Sequence, residues 1–386
     1  EQVARARGQV SEAASAGHLQ ADVSGNLTRV DEVSTISLGG NSVKTGKLYT
    51  RTANLSLTQP IDISGALRAS RDIASYGETQ AILALAGTRE KTVLDVKTAY
   101  FQVLRAQAAF AVAQATATSL EEHERQSQAF YKNGVAAQYD VLRAEAQLAN
   151  AQQAVIAARN GVELAKAAMN NVLGIDVTTP ITVSTEPKLT RISPNYRESL
   201  NLAYTRRLEV QEALAGVQAA ERGIDLARSG RLPNLAIAAT GSYNMDPTLF
   251  NSRKSAWNAA AVLSFPLLDG GQARARIRQA EADTNNAQIA EEQVRESIAL
   301  EMQQAILTLN NAGERLDAAE KNLTQAKEAA RLAKVRYQAG VSTAIEVTDS
   351  QAVLTEAETN AVNARYDYLL AQASYEHAVG PEPATK

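Results

Sequence analysis

The 386-residue sequence contains no cysteine, which excludes disulfide cross-links and thiolate chemistry. It has three histidines, His18, His123 and His377, isolated from one another and from any second ligand at metal-binding spacing. No serine or aspartate completes a recognisable catalytic triad with them, so neither enzymatic activity nor a cofactor is expected. Aromatic residues make up only 5%, too few for a large conventional globular core. No apolar run approaches the roughly 20 residues that a membrane-spanning helix requires. With a formal net charge of -3, nucleic acid is not an expected partner.

What the chain does have is alanine, set among glutamine, glutamate, arginine and leucine. That composition belongs to long helices whose backbones approach closely, because small side chains narrow the gap between them. The missing cysteines also suit an oxidising compartment. The sequence opens inside a helical pattern (Glu1 to Ala16) with no visible signal peptide, so its natural beginning is expected to be missing.

An internal repeat organises the whole. A shift of 206 positions superposes Pro60 on Pro266, Gly65 on Gly271, Tyr131 on Tyr337 and Gly134 on Gly340. It also superposes Val141 on Val347, Leu164 on Leu370 and Gly174 on Gly380. Prolines and glycines recurring at element boundaries are not what chance matching of alanine-rich helix produces. Upstream the shift becomes 213, with Gly17 opposite Gly230, so the interval from Leu19 to Pro60 is seven residues longer than its counterpart. Length variation confined there predicts a loop tip.

Each copy reads as strand, strand, long helix, turn, helix. Leu19, Ala21, Val23, Gly25 and Leu27 alternate with polar residues, as do Ala53, Leu55 and Leu57. Leu235, Ile237, Ala239 and Tyr243 share one face, and so do Trp257, Ala259, Ala261, Leu263 and Phe265. Period two over about 10 residues fits barrel strands of an outer membrane, and equally a half-buried hairpin in a soluble sheet. From Ala66 to Lys132 the pattern is helical and free of proline. At 1.5 Å per residue that is a rod of about 100 Å. Asn133-Gly134 and Ala339-Gly340 carry helix-stop chemistry, and shorter return helices follow over Ala137 to Leu173 and Ser342 to Ala378. A further helix is predicted over Pro194 to Ser229, after a linker whose Ile181-Thr182-Val183 predicts a small belt outside the rods. Four strands per chain leave two open edges, which a membrane does not tolerate, so several chains must close one barrel.

The expected boundaries are 1–17 for the end of a first repeat-opening helix, 18–60 for the first barrel hairpin and 61–173 for the first helical hairpin. A linker and equatorial belt follow at 174–197, then a second repeat-opening helix at 198–231. The second barrel hairpin occupies 232–266, the second helical hairpin 267–380 and a tail 381–386.

Strand hairpin, Pro-Leu-Leu-Asp-Gly-Gly (Pro266 to Gly271), long helix, Tyr-x-x-Gly turn and returning helix resemble the TolC-type outer-membrane efflux family. Arg231-Leu232-Pro233-Asn234-Leu235 looks like that family's entry into its third strand, and Tyr337 to Asp349 resembles its second helical tip. The resemblance covers nearly the whole chain. It implies a mainly α fold with β, a homotrimer with a twelve-stranded outer-membrane β-barrel, and a continuous α-helical barrel in the periplasm. It implies as partners outer-membrane lipid, a periplasmic adaptor protein and an inner-membrane transporter, in a passive exit duct for efflux or type I secretion.

By the same resemblance, Glu346 and Asp349 would narrow the pore, three copies placing six carboxylates about the axis. On the residues alone, both acids also read as partners of a helix N-terminus. Tyr337 and Asp140 match two positions of an entrance latch, although Ser342 stands where that latch has arginine. Arg143 sits at the site equivalent to Asp349 in the other copy, so an ion pair between the tips is expected. The tips, with Asn133, Gly134, Val135, Gly340, Val341 and Ser342, would dock the adaptor. Tyr243, Trp257 and Phe265 would belong to a membrane-interface belt, or simply pack on the sheet. Two other readings stay open: a periplasmic adaptor or structural coiled-coil protein, and a soluble enzyme with helical arms.

Overall fold

A computed structural model describes residues 1–183, 187–248 and 252–381; residues 382–386 of the expected tail lie outside them. The chain runs through α1 (Gln2–Ser15), β1 (Gln20–Arg29), β2 (Thr35–Leu38), β3 (Asn41–Lys44), β4 (Tyr49–Ile61), α2 (Ala66–Lys132) and α3 (Gln138–Leu173). It continues through α4 (Tyr196–Arg206), α5 (Leu208–Ser229), β5 (Asn234–Asn244), β6 (Ser255–Ser264), α6 (Gln272–Gln338) and α7 (Ala344–Val379). The repeat is visible in the lengths. Helices α2 and α6 both have 67 residues, and α3 and α7 both have 36. No helix among the described residues is long and apolar enough to cross a membrane.

Contacts divide the chain into two units, Glu1–Leu85 with Glu209–Val294 and Ala86–Leu208 with Arg295–Lys386. The first unit holds a four-stranded antiparallel sheet in the order β1-β4-β5-β6, which joins the strand pairs of both repeats. The extra residues of the first repeat form a hairpin where length variation alone predicts a loop tip. Strands β2 and β3 pair around Gly39-Gly40, both at positive φ (60° and 86°). A two-residue turn of that hand needs glycine-like freedom at both positions and matches the twist of the flanking strands.

The second unit packs α2 antiparallel to α7 through a ladder of polar contacts. Lys97 pairs with Glu376 at 3.1 Å, Arg105 with Asp367 at 3.2 Å, Thr116 with Thr355 at 3.0 Å and Ser119 with Gln351 at 2.8 Å. Between such contacts alanine allows close approach. Ala312, Ala364 and Ala371 surround Leu309, Leu316 and Tyr368 in one buried cluster. The linker is tied to these helices. Leu189 and Ile192 pack on that cluster, and Val183 packs on a second one built from Leu104, Tyr366 and Leu369. Linker residues 174–183 and 187–195 form neither strand nor helix, and Val183 serves as an apolar staple.

The single helix expected over 194–229 is two. Arg207 adopts an extended backbone (φ -66°, ψ 128°) between α4 and α5, and its buried guanidinium meets Glu301 at 2.7 Å. Helical propensity runs unbroken through this stretch. A buried charge must be paired, and here that tertiary demand coincides with the break.

Candidate functional site

Two surfaces stand out, the face of the sheet and the helical tips. The registers fix the first. Ala21, Val23, Gly25 and Leu27 lie opposite Leu57, Leu55, Ala53 and Arg51. Ala53, Leu55 and Leu57 lie opposite Tyr243, Gly241 and Ala239, and Leu235, Ile237, Ala239 and Gly241 opposite Leu263, Ala261, Ala259 and Trp257. Directly opposed residues project to the same side of a sheet, so these positions form one nearly unbroken apolar face. The opposite face carries Asp22, Ser24, Asn26, Thr52, Asn54, Ser56, Thr240 and Ser242, with Ala236, Ala238, Ala260 and Val262 on its β5–β6 side. The apolar side lies bare in the single chain: Val23 is 80% exposed, Leu27 70% and Trp257 81%. Tyr243 and Trp257 share this face, and half-exposed Phe265 follows directly after β6. Among the described residues, β1 and β6 each end the sheet with an unpaired edge.

At the tips, both long helices stop in the same way. Gly134 and Gly340 take positive φ (69° and 73°). Val135 N–H donates to the Phe130 carbonyl at 2.9 Å, and Val341 N–H to that of Arg336 at 3.0 Å. These bonds satisfy carbonyls that the helix end leaves open. Val135 and Val341 are left projecting at the apices, 70% and 67% exposed, while Asn133 folds back onto the Ala129 carbonyl.

The expected site residues separate. Arg143 and Asp349 are brought together at 3.9 Å, an ion pair between α3 and α7 with Asp349 exposed and Arg143 half-buried. Glu346 bonds within its own tip, to Arg336 at 3.3 Å and to the Ser342 hydroxyl. Asp140, its counterpart in the first tip, accepts the Ala137 N–H at 3.3 Å and so caps α3. Tyr337 is buried, not displayed. Its ring lies 5.3 Å from His123 and 5.2 Å from Phe130, and its hydroxyl lies 3.4 Å from the Ser127 hydroxyl.

His123, isolated in sequence from the other histidines, is part of this packing. The signal lay in spacing, since His123, Ser127 and Phe130 recur at i, i+4 and i+7 and therefore share one helix face. Its ring is 6% exposed and neither nitrogen has a hydrogen-bond partner among the described residues. Burial pushes its pKa below the ordinary histidine value, while the charge of Asp140 opposes the shift. Glu122, next to His123 in α2, pairs with Lys334, three residues before Tyr337 in α6. The packed state holds the neutral ring, so its contribution is complete above about pH 6.5 and is lost as pH falls below that value. Amide protection across residues 120–132, taken relative to the intrinsic exchange rate at each pH, should therefore fall between pH 7.5 and pH 5.5. His123→Phe should remove that dependence, and an unchanged profile in the variant would assign it elsewhere.

Residues 1–175 and 199–380 match the family described as "Outer membrane efflux protein". The chain belongs to this family. Among curated relatives, the outer membrane protein TolC of Vibrio cholerae is 26% identical over 81% of this chain and 72% of its own length. That of Escherichia coli K12 is 23% identical over 76% of this chain, which spans only 62% of it. The crystal structure of the outer membrane protein VceC from Vibrio cholerae superposes with a TM-score of 0.80, at 19% identity, over 98% of this chain and 91% of that one. Membership fixes the fold of this efflux-family chain as that of the outer-membrane channels.

Proposed function

We propose that three copies of the chain join their sheets edge to edge into a twelve-stranded outer-membrane barrel, with the helices continuing as a periplasmic duct. The observation that carries this reading is the register. One apolar face spans four strands of 10 to 13 residues, and both sheet edges are open. Strands of that length cross a bilayer when tilted, and closure alone satisfies edge backbone groups in lipid. Cargo then passes through unaltered, driven by an inner-membrane transporter reached through a periplasmic adaptor that seats on the Val135 and Val341 tips. An adaptor-like protein would itself carry a single helical hairpin, whereas two equal hairpins and a four-stranded sheet support a duct.

In this reading Asp349, its side chain 71% exposed, and the tethered Glu346 supply the ring of carboxylates at the entrance. Tyr337 contributes through packing, and Arg143 with Asp349 forms the closing contact. A surface pair contributes under about 1 kcal/mol, so three pairs together shift a closed–open ratio by roughly a hundredfold at most. The test is conductance of the purified protein in a planar bilayer. Wild type is expected to form cation-preferring channels, with Arg143→Gln open more often and Asp349→Asn less selective. Absence of channels would remove the duct, and unchanged opening in Arg143→Gln would remove the pair as its latch.

A further inference from the structure

The base of the sheet carries an arginine collar that neither the duct nor the tips explain. Arg68 and Arg71 lie in the first two turns of α2, Arg228 in the last turn of α5 with Arg231 just beyond, and Arg274, Arg276 and Arg278 in the first two turns of α6. All seven are exposed. At the helical rise, each lies within about 10 Å of the helix end nearest the strands. The headgroup layer on one side of a bilayer is roughly 5–8 Å thick, and arginine reaches several ångströms further.

Three carboxylates at this level, Asp62, Asp269 and Asp225, are engaged by neighbours, and Asp72 lies among the arginines. Asp62 accepts the Leu67 and Arg68 N–H groups, at 3.3 and 2.9 Å. Asp269 accepts those of Gly271 and Ala273, at 2.9 and 2.7 Å, and lies in the field of Arg231. Asp225 pairs with Arg222 at 2.8 Å. Arg68, Arg71, Arg228, Arg274, Arg276 and Arg278 form no ion pair among the described residues. Between α2 and α5 an open cleft of about 300 Å³ is lined by Ser64, Arg68, Asp72, Arg222, Asp225 and Arg228, three guanidinium groups to two carboxylates. Excess positive charge, a cleft with hydroxyl and guanidinium donors, and continuity with the bare apolar face of the same unit all point to one occupant.

We propose that this collar binds the phosphate headgroups of anionic phospholipids in the leaflet nearest the helices, with the Arg68–Arg228 cleft as its seat. The inference rests on the sheet lying in the membrane. It assigns a lipid class to the base of that sheet, where guanidinium groups hold phosphate oxygens by paired N–H donors.

The experiment reconstitutes the full chain into vesicles of phosphatidylcholine with one-third phosphatidylglycerol, re-extracts it, and counts retained lipid by native mass spectrometry. Wild type is expected to retain phosphatidylglycerol over phosphatidylcholine. Arg68→Gln/Arg228→Gln should lose about tenfold of that preference at unchanged oligomer mass, whereas Arg253→Gln, beyond the other end of the strands, should keep it. Equal retention of both lipids by wild type would overturn the proposal. So would release of phosphatidylglycerol by inorganic phosphate, which marks a general anion site, or loss of oligomer mass in the double variant, which marks a subunit contact. Failure of wild type to enter any vesicle would instead overturn the membrane reading beneath it.

Discussion

Leu55→Arg is expected to abolish stable membrane assembly, while Asn54→Arg one position away leaves it intact. Leu55 is the midpoint of β4, paired with Val23 on one side and Gly241 on the other, all on the apolar face. Asn54 faces Ser24 and Ser242 on the polar side. An arginine facing lipid at the bilayer midplane costs about 2–4 kcal/mol per copy, and a three-copy barrel carries it three times. The same side chain in a watery lumen costs little. Folding into vesicles, read as retained resistance to protease and denaturant, separates the two variants. Equal behaviour of both would mean that the sheet does not present one face to lipid.

The second large effect belongs to the helical unit. Tyr368 is 2% exposed, its ring sits in the alanine-rich cluster, and Arg191 stacks over it at 5.2 Å. Its hydroxyl accepts the Ile192 N–H at 3.0 Å and donates to the Thr190 carbonyl at 3.2 Å. Arg191 also donates to the Gly313 carbonyl and pairs with Asp317. One side chain thus fills the core and pins the linker to α6 and α7. Tyr368→Ala should destabilise this unit by about 3–5 kcal/mol through the cavity it opens. Tyr368→Phe should cost about 1–3 kcal/mol, because it leaves two linker backbone groups without their partner. Denaturant unfolding gives both values, and proteolysis should cut the linker near Thr190 first. If Tyr368→Phe were as stable as wild type, the hydroxyl would not be what holds the linker.

The parts of the fold legible in the sequence are those set by local chemistry. Proline and glycine mark where rods begin and end, and the 206-residue offset reappears in α2 against α6 and α3 against α7. Alternation gave the apolar face, because period two is a property of the strand itself. What stayed hidden depends on partners distant in sequence. The β2–β3 hairpin rests on four-residue strands with too few alternating positions to read. The break at Arg207 arises where Glu301, far along the chain, meets its guanidinium. Tyr337 read as a latch because its tip resembles a known one, yet His123 and Phe130 enclose it. The Arg143–Asp349 pair, by contrast, followed from the repeat, since equivalent sites of opposite charge in two like hairpins can meet.

The most direct measurement is the mass of the detergent-extracted assembly by light scattering with detergent subtracted. The proposed three-copy barrel predicts three times the chain mass of 41.2 kDa, obtained only in the presence of detergent. A monodisperse particle of 41.2 kDa, stable in plain buffer, would contradict it.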